Sequence, residues 1–101
     1  MIKVEDYVSR LKSDENDSFF RAVLKLRTLD DCYRFFEDVL TIPELKSISQ
    51  RWEVATLLHE GLTYTEIARK LNVSTATICR VNKALEYGAG GYRIALGEED
   101  H

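Results

Sequence analysis

Apolar side chains recur at helical spacing through most of the chain, and this pattern predicts an all-α protein. The clearest stretch runs from Leu62 to Leu85, LTYTEIARKLNVSTATICRVNKAL, where two short helices are predicted on either side of a tight turn. Each helix carries three apolar side chains at this spacing: Ile67, Ala68 and Leu71 in the first, and Ile78, Val81 and Leu85 in the second. Because each set shares one helix face, the two faces are expected to pack on each other.

Both predicted helices begin with a hydroxyl side chain that can cap them. Thr63 is followed three residues later by Glu66, which is the T-x-x-E pattern of a capping box. Asn72 tolerates the left-handed backbone that ends a helix, and Ser74 is a good N-cap for the second helix. With the small Ala68 at the helix contact, this order is typical of a helix-turn-helix. A helical hairpin inside another all-α domain is the alternative.

Opposite its apolar stripe, the second helix carries a polar face whose side chains are short at the N-terminal end. Thr75, Ala76 and Thr77 occupy its N-terminal turn, which is the end that a helix-turn-helix places in the major groove of DNA. A threonine methyl group suits contact with thymine, Arg80 can bind guanine or a phosphate, and Lys83 is better placed for a phosphate. The residues predicted to contact a double-stranded DNA operator are Thr63, Tyr64, Thr65, Ser74, Thr75, Ala76, Thr77, Arg80 and Lys83.

Further helices are predicted before this motif. A first helix is expected from about Ile2 to Lys12, followed by a polar break from Ser13 to Asp17. Ser18 is then expected to cap a second helix that includes Leu26, and Thr28 to cap a third, TLDDCYRFFEDVL. These N-terminal helices, within residues 1–40, are the predicted dimerisation region.

A long helix is predicted over residues 43–60, because Pro43 suits its first turn and Gly61 can stop it. Trp52 is expected in the core on the apolar face of this helix. The helix-turn-helix follows over residues 63–86, and the glycines after it are expected to form a mobile linker before a last short turn around Tyr92. The prediction is therefore a single all-helical domain over residues 1–96 with a disordered tail at 97–101.

Composition narrows the class of protein. The chain has 101 residues, of which 45% are apolar, enough for one packed core. It has no apolar run that could span a membrane and no apolar signal core at its N-terminus, so a cytoplasmic protein is expected. Cys32 and Cys79 lack companions at metal-ligand spacing and are predicted to be free thiols, with Cys79 partly buried. His59 is predicted at the surface, and no residue cluster indicates an enzyme, a metal or a cofactor.

The net charge of −3 is unusual for a DNA-binding protein. Between residues 61 and 87, however, the chain has four basic and two acidic side chains, which gives this segment a local charge of +2. This modest charge predicts weak nonspecific binding that a second subunit or a ligand supplements. The alternative is a protein-interaction module that keeps the helix-turn-helix fold without recognising DNA.

The apolar faces of the N-terminal helices can be explained in two ways. This region contains all four phenylalanines of the chain. The faces either close a monomer core or meet a second subunit. Helix-turn-helix proteins of this size commonly bind paired half-sites, which favours a homodimer.

From Thr41 to Leu85 the chain resembles the Trp repressor superfamily, and nearly the whole chain is similar to the YerC/YecD group of Trp-repressor-related proteins. The stretches that carry the resemblance are LTIPELKSISQRWEVATLLHEGLTYTEIARKLNVSTATICRVNKAL and YGAGGYRIAL. The resemblance implies an intertwined, all-helical homodimer that binds an operator through the second helix of each motif. Relatives in this group are thought to control amino-acid biosynthesis genes, so a repressor of such genes is expected, with a histidine-type effector as a candidate.

The corepressor pocket of this family carries over in part. Thr41 and Arg51 resemble the threonine and arginine that frame the amino acid in the Trp repressor, and Arg80 stands where a second arginine stacks on the ligand ring. The family has a glycine directly after that second arginine and a serine four positions after it. Here these residues are Val81 and Ala84. Valine occupies space that the ligand needs, and alanine lacks the hydroxyl that holds the ligand amino group, so tryptophan is not expected as the corepressor.

The chemistry of the two arginines leaves three interpretations open. Arg51 and Arg80 can hold the carboxylate of an amino-acid-like effector through bidentate hydrogen bonds. They can equally hold DNA phosphates. In the third interpretation Arg51 pairs with Glu44 or Glu53, and Arg80 faces solvent until DNA binds.

Overall fold

The computed structural model describes residues 7–98 of the chain. These residues form six α-helices and contain no strand: α1 (Asp14–Val23), α2 (Leu29–Val39), α3 (Ile42–His59), α4 (Tyr64–Leu71), α5 (Thr75–Tyr87) and α6 (Gly91–Ala95). They separate into two compact units. We call Val8–Leu45 the N-terminal unit and the described residues from Lys46 onward the C-terminal unit. The single-domain organisation over residues 1–96 stays a prediction.

The first helix of the N-terminal unit begins earlier than the sequence predicts. Ser13, assigned to a polar break, is the N-cap of α1, and its Oγ accepts a hydrogen bond from the backbone N–H of Asn16 at 3.0 Å. Ser18, the expected cap, lies inside α1, and the helix ends at Val23 before reaching Leu26. Three acidic side chains lie in the first turn of α1. Their charges are favourable at the positive end of the helix dipole, which explains a start at Ser13.

The rest of the N-terminal unit differs from the prediction at one place and agrees at another. Residues 7–12 contain turn and irregular backbone, so the described part of the helix predicted from Ile2 to Lys12 is absent, and residues 2–6 lie outside the described region. Thr28 caps α2 as predicted, because its Oγ1 accepts from the Asp31 N–H at 3.0 Å. The rings of Phe19 and Phe35 stack between α1 and α2 with centroids 5.9 Å apart.

Both ends of the long helix α3 are fixed by local hydrogen bonds. At the start, the Glu44 N–H donates to Thr41 Oγ1 at 3.3 Å, and the Thr41 N–H donates to Glu44 Oε1 at 2.8 Å. This capping box has the T-x-x-E pattern that also opens the helix-turn-helix, so it was recognisable in the sequence but was not predicted. At the end, Gly61 has a φ of 93°, and the Leu62 N–H donates to the Leu57 carbonyl at 3.1 Å. The predicted stop at Gly61 is therefore a Schellman motif.

The core of the C-terminal unit lies where α3, α4 and α5 meet. It is formed by six buried apolar side chains: Val54, Ala55, Leu57, Ile67, Ile78 and Val81. Fully burying a valine or isoleucine side chain contributes about 1.5–3 kcal/mol to folding. The face of α5 that the sequence predicts to be apolar is therefore the face that holds this helix in place.

The segment after α5 is more ordered than its glycine content predicts. Three residues, 88–90, connect α5 to α6, and Tyr92 of α6 packs against the core. Trp52, predicted in the core, is instead 37% exposed, and its ring stacks on Tyr92 with centroids 6.5 Å apart. Gly97 and Glu98, predicted in a disordered tail, close the last turn of α6, since the Glu98 N–H donates to the Arg93 carbonyl at 2.9 Å. Residues 99–101 of the predicted tail lie outside the described region.

The start of α1 can be tested with two serine variants. Ser13→Ala removes the N-cap and is expected to lower the free energy of unfolding by about 1 kcal/mol. Ser18→Ala is the matched control, because Ser18 is exposed inside the helix, where alanine is favoured by roughly 0.5 kcal/mol. Urea unfolding followed by circular dichroism measures both values. A larger loss for Ser18→Ala than for Ser13→Ala would show that α1 begins at Ser18.

Candidate nucleic-acid interface

Helix α4 begins and ends as the sequence predicts. The Glu66 N–H donates to Thr63 Oγ1 at 3.2 Å, and the Thr63 N–H donates to Glu66 Oε1 at 2.9 Å, so the capping box is complete. Asn72 ends the helix with φ 55° and ψ 48°, in the left-handed region. Among the described residues it is the one non-glycine with positive φ. Asparagine tolerates this conformation because its short polar side chain can bond locally.

Helix α5 begins at the predicted cap, Ser74. The Ser74 Oγ accepts from the Thr77 N–H at 3.2 Å and lies 3.1 Å from Thr77 Oγ1. The Thr77 hydroxyl therefore helps to close the turn, and this side chain is half-buried, whereas Thr75 and Ala76 are exposed. Of the three residues predicted to contact base edges, Thr75 and Ala76 have the most accessible side chains. We call the first turn of α5, residues 75–77, the reading turn.

The other predicted DNA contacts differ in how much of each side chain reaches the surface. Thr65, Arg80 and Lys83 are exposed, while Tyr64 is half-buried and packs against the core. Cys79 was predicted to be partly buried but is exposed on α5, and both cysteines are free thiols.

The basic side chains of the helix-turn-helix make no salt bridges within residues 7–98. The ion pairs in this region involve other basic residues: Lys12, Arg21, Arg34, His59 and Arg93. Four exposed cations are therefore available around the motif: Arg69, Lys70, Arg80 and Lys83. Helices α1 to α4 all have acidic side chains in their first turns, but α5 has none. The positive end of the α5 dipole is thus not neutralised and can attract an anion.

Two residues of the predicted effector pocket have structural contacts of their own. Thr41 caps α3, and Arg51 donates from Nε to the Ser47 carbonyl at 3.4 Å. Among the described residues Arg51 forms no salt bridge with Glu44 or Glu53. The predicted pairing of Arg51 with one of these two carboxylates is therefore wrong. Thr41 belongs to the N-terminal unit, whereas Arg51 belongs to the C-terminal unit.

The two positions that depart from the corepressor pocket also differ in environment. Val81 is 1% exposed and belongs to the core of the C-terminal unit. Ala84 is exposed on α5. The valine that replaces the family's glycine therefore fills space inside the fold.

The comparison with known proteins identifies the family. The chain matches the family model of the Trp repressor protein over residues 14–100. The chain belongs to the Trp repressor family. Within this family it is similar to a Bacillus subtilis (strain 168) protein named uncharacterized protein YerC, with 46% identity over 89 residues that cover 88% of this chain and 86% of the relative.

Two other Trp repressor-like proteins support the same assignment. The Trp operon repressor homolog of Chlamydia caviae is 37% identical over 78 residues, which cover 74% of this chain and 77% of the relative. The crystal structure of a TrpR-like protein from Eubacterium eligens has a TM-score of 0.81 and 49% identity, covering 90% of this chain and 98% of that one. These findings confirm the predicted all-α, Trp-repressor-like fold and the resemblance to the YerC group.

The Trp repressor family is one of DNA-binding transcriptional regulators and not of enzymes. The helix-turn-helix formed by α4 and α5 is the candidate DNA-binding motif of this chain. Across residues 7–98, no helix is both long and apolar enough to cross a membrane. The same residues contain no group of three or more His, Cys, Asp or Glu side chains that could hold a metal ion.

The capping box of α4 makes the stability of the protein depend on pH. A hydrogen bond from the Thr63 backbone N–H, with a further one involving the Thr63 hydroxyl, holds the pKa of Glu66 below its ordinary value of 4.5. The carboxylate therefore stabilises the fold fully above pH 4.5, and this contribution is lost as the pH falls through the lowered folded-state pKa. Glu66→Gln should be less stable than the wild type near neutral pH, and the difference should shrink in acid.

Urea unfolding at a series of pH values measures this difference. Glu44→Gln is a second, independent case, because the Thr41 backbone N–H lowers the pKa of Glu44 in the same way. It should show the same trend with pH. A difference between wild type and Glu66→Gln that stays constant or grows toward acid pH would contradict the role given to this carboxylate.

Proposed function

We propose that this protein is a cytoplasmic, homodimeric transcriptional regulator that recognises a double-stranded DNA operator through the reading turn of α5. One observation carries the proposal: an exposed helix start without acidic side chains lies in a motif whose four basic side chains make no salt bridge in the described region. The short side chains of Thr75 and Ala76 allow close approach to base edges in the major groove. Arg80 and Lys83, further along α5, supply positive charge for DNA phosphates.

The exposed apolar surface of the N-terminal unit supports the proposal of a second subunit. Of the side chains in α1 and α2, all of which are described, none is buried. Several large apolar side chains are exposed: Phe20, Leu24, Leu29, Tyr33 and Val39. Leu24, for example, is 82% exposed. Removing such surface from water favours association, and a two-fold dimer would present two reading turns to paired half-sites.

The finer proposal is repression of amino-acid biosynthesis genes, regulated by an effector other than tryptophan. It is supported by the similarity to a protein named Trp operon repressor homolog. Arg51 and Arg80 lie on α3 and α5, which share one core, and either guanidinium can bind a carboxylate through two hydrogen bonds. The buried Val81 disfavours tryptophan at the position where the family has glycine.

Selection of sheared genomic DNA by the purified protein, followed by sequencing, tests the proposal. We expect a small set of recovered sites with a two-fold symmetric motif. Running the selection with and without a pool of amino acids tests for an effector, because sites that appear only with the pool require one.

The net charge of −3 favours a protein-interaction module as the second candidate function. Recovery of no enriched fragment even at low salt would favour that module.

Thr75→Asp separates DNA recognition from helix stability. An acidic side chain in the first turn favours the helix dipole, so the stability of α5 should be unchanged or slightly higher. The same charge repels phosphates and removes the threonine contact, so affinity for the selected site should fall by about tenfold or more, which is the scale of one lost base contact. Fluorescence anisotropy measures affinity, and thermal unfolding measures stability. Unchanged affinity for the selected site would show that the reading turn is wrongly assigned.

Lys83→Gln tests the predicted phosphate contact. Removing one phosphate contact should reduce the slope of log affinity against log salt concentration by about 1, for selected and unrelated duplexes alike. Lys46→Gln is the matched control, because Lys46 is also exposed but lies at the start of α3, outside the helix-turn-helix. It should leave the slope unchanged. Equal changes for the two variants would mean that Lys83 acts only through the overall charge.

A further inference from the structure

Helix α6 supplies α5 with a positive charge that the last turn of α5 lacks. That turn contains no basic side chain. Leu85 lies among the last four residues of α5, whose carbonyl oxygens have no partner within the helix. Arg93 on α6 donates from Nε to the Leu85 carbonyl at 3.1 Å. This contact satisfies an unpaired carbonyl and places a cation at the negative end of the helix dipole.

Arg93 is itself held by a carboxylate. Its Nη1 donates to Glu98 Oε1 at 3.1 Å and to Oε2 at 2.9 Å. The chain turns back at Gly97, where φ is 85°, and this left-handed turn returns Glu98 to the side of Arg93. Glu98 Oε2 also lies 3.8 Å from Nδ1 of His59 at the end of α3. One carboxylate thus lies between a side chain of α6 and a side chain of α3.

A second contact joins α6 to α3. Tyr92 packs against the core of the C-terminal unit, and its ring stacks on Trp52 with an interplanar angle of 18°. Tyr92 of α6 and Glu98, which follows α6, therefore contact α3, and Arg93 of α6 contacts α5. The C-terminal end of α5 is connected to the long helix by these three side chains.

We infer that Arg93, oriented by Glu98, is a positioning residue for DNA recognition: it fixes the C-terminal end of α5 and, through it, the direction of the reading turn. The inference rests on the proposed function. Helix α5 has 13 residues and is roughly 20 Å long, so a tilt about one end moves the other end. Ser74 fixes the start of this helix, and Arg93 fixes its end without belonging to the reading turn.

Two variants that remove side chains of opposite charge separate a positioning role from simple electrostatic attraction to DNA. Arg93→Gln removes a positive charge and Glu98→Gln removes a negative one, so charge alone would weaken DNA binding in the first and strengthen it in the second. If Arg93 and Glu98 position α5, both variants should instead weaken binding to the selected site. The ratio of affinity for the selected site to affinity for an unrelated duplex should fall about tenfold for Arg93→Gln and about threefold for Glu98→Gln. Lys46→Gln is the control for the loss of one positive charge.

Hydrogen–deuterium exchange of the free protein measures the same contact without DNA. Amides of residues 84–88 should exchange faster in Arg93→Gln than in the wild type, because the last turn of α5 loses its anchor. Arg93→Lys keeps the charge but loses the planar fork that binds Leu85 and Glu98 together, so it should restore protection only in part. Unchanged exchange in Arg93→Gln would overturn the inference, as would opposite changes in the affinity ratio for Arg93→Gln and Glu98→Gln.

The two proposals can fail separately. If the wild-type protein selects no DNA site, the proposed function fails, and the role of Arg93 in DNA recognition fails with it. The exchange data then still show whether Arg93 holds the end of α5. If the wild type selects a site but the Arg93 variants keep its full affinity ratio, only the positioning inference is wrong.

Discussion

Val54, Ile67 and Ile78 have no exposed surface, and each belongs to a different helix of the C-terminal unit. Their mutual packing is the constraint on which the rest of this unit depends, because it fixes α3, α4 and α5 against one another. With Ile78 turned inward, the helical period of 3.6 residues places Ala76 and Arg80 on the opposite, exposed face of α5. The candidate DNA-binding surface is therefore a consequence of the core, and polar residues refine a geometry that apolar burial has set.

The features that the sequence predicted correctly act over three or four residues. The cap at Ser74 and the left-handed turn at Asn72 are of this kind, because their hydrogen bonds and backbone strain are local. Ser13 and Ser18 show the limit of such signals. Both are good caps, and the choice between them depends on whether the acidic side chains after Ser13 stabilise a helix start there or form a solvated break. In the structure the helix is capped by Ser13, with three acidic side chains in its first turn, as a favourable interaction with the helix dipole would have it.

Two side-chain contacts between separate helices could not be predicted from the sequence. Arg93 and Leu85 lie eight residues apart on two helices, and no periodic pattern relates them. Trp52 is expected in the core because it shares the predicted apolar face of the long helix. Val54 and Ala55 take the inward direction of α3 instead, and Trp52 stacks on Tyr92 at the side. Binding of DNA, of a second subunit or of an effector involves other molecules. For such contacts a single chain shows only which side chains and charges are accessible, so these assignments stay predictions.

The acidic net charge and a DNA interface are compatible because the charges are segregated by helix. Acidic side chains stabilise the first turns of α1 to α4, whereas the neutral hydroxyl of Ser74 caps α5. A hydroxyl supplies the missing hydrogen bond and leaves the positive end of the helix dipole intact. A carboxylate there would stabilise the helix equally well but would repel phosphates. The overall negative charge also weakens nonspecific attraction to DNA, so selectivity depends on short-range contacts of α5. Joining two such helices in one dimer would then supply affinity, since the second contact becomes intramolecular.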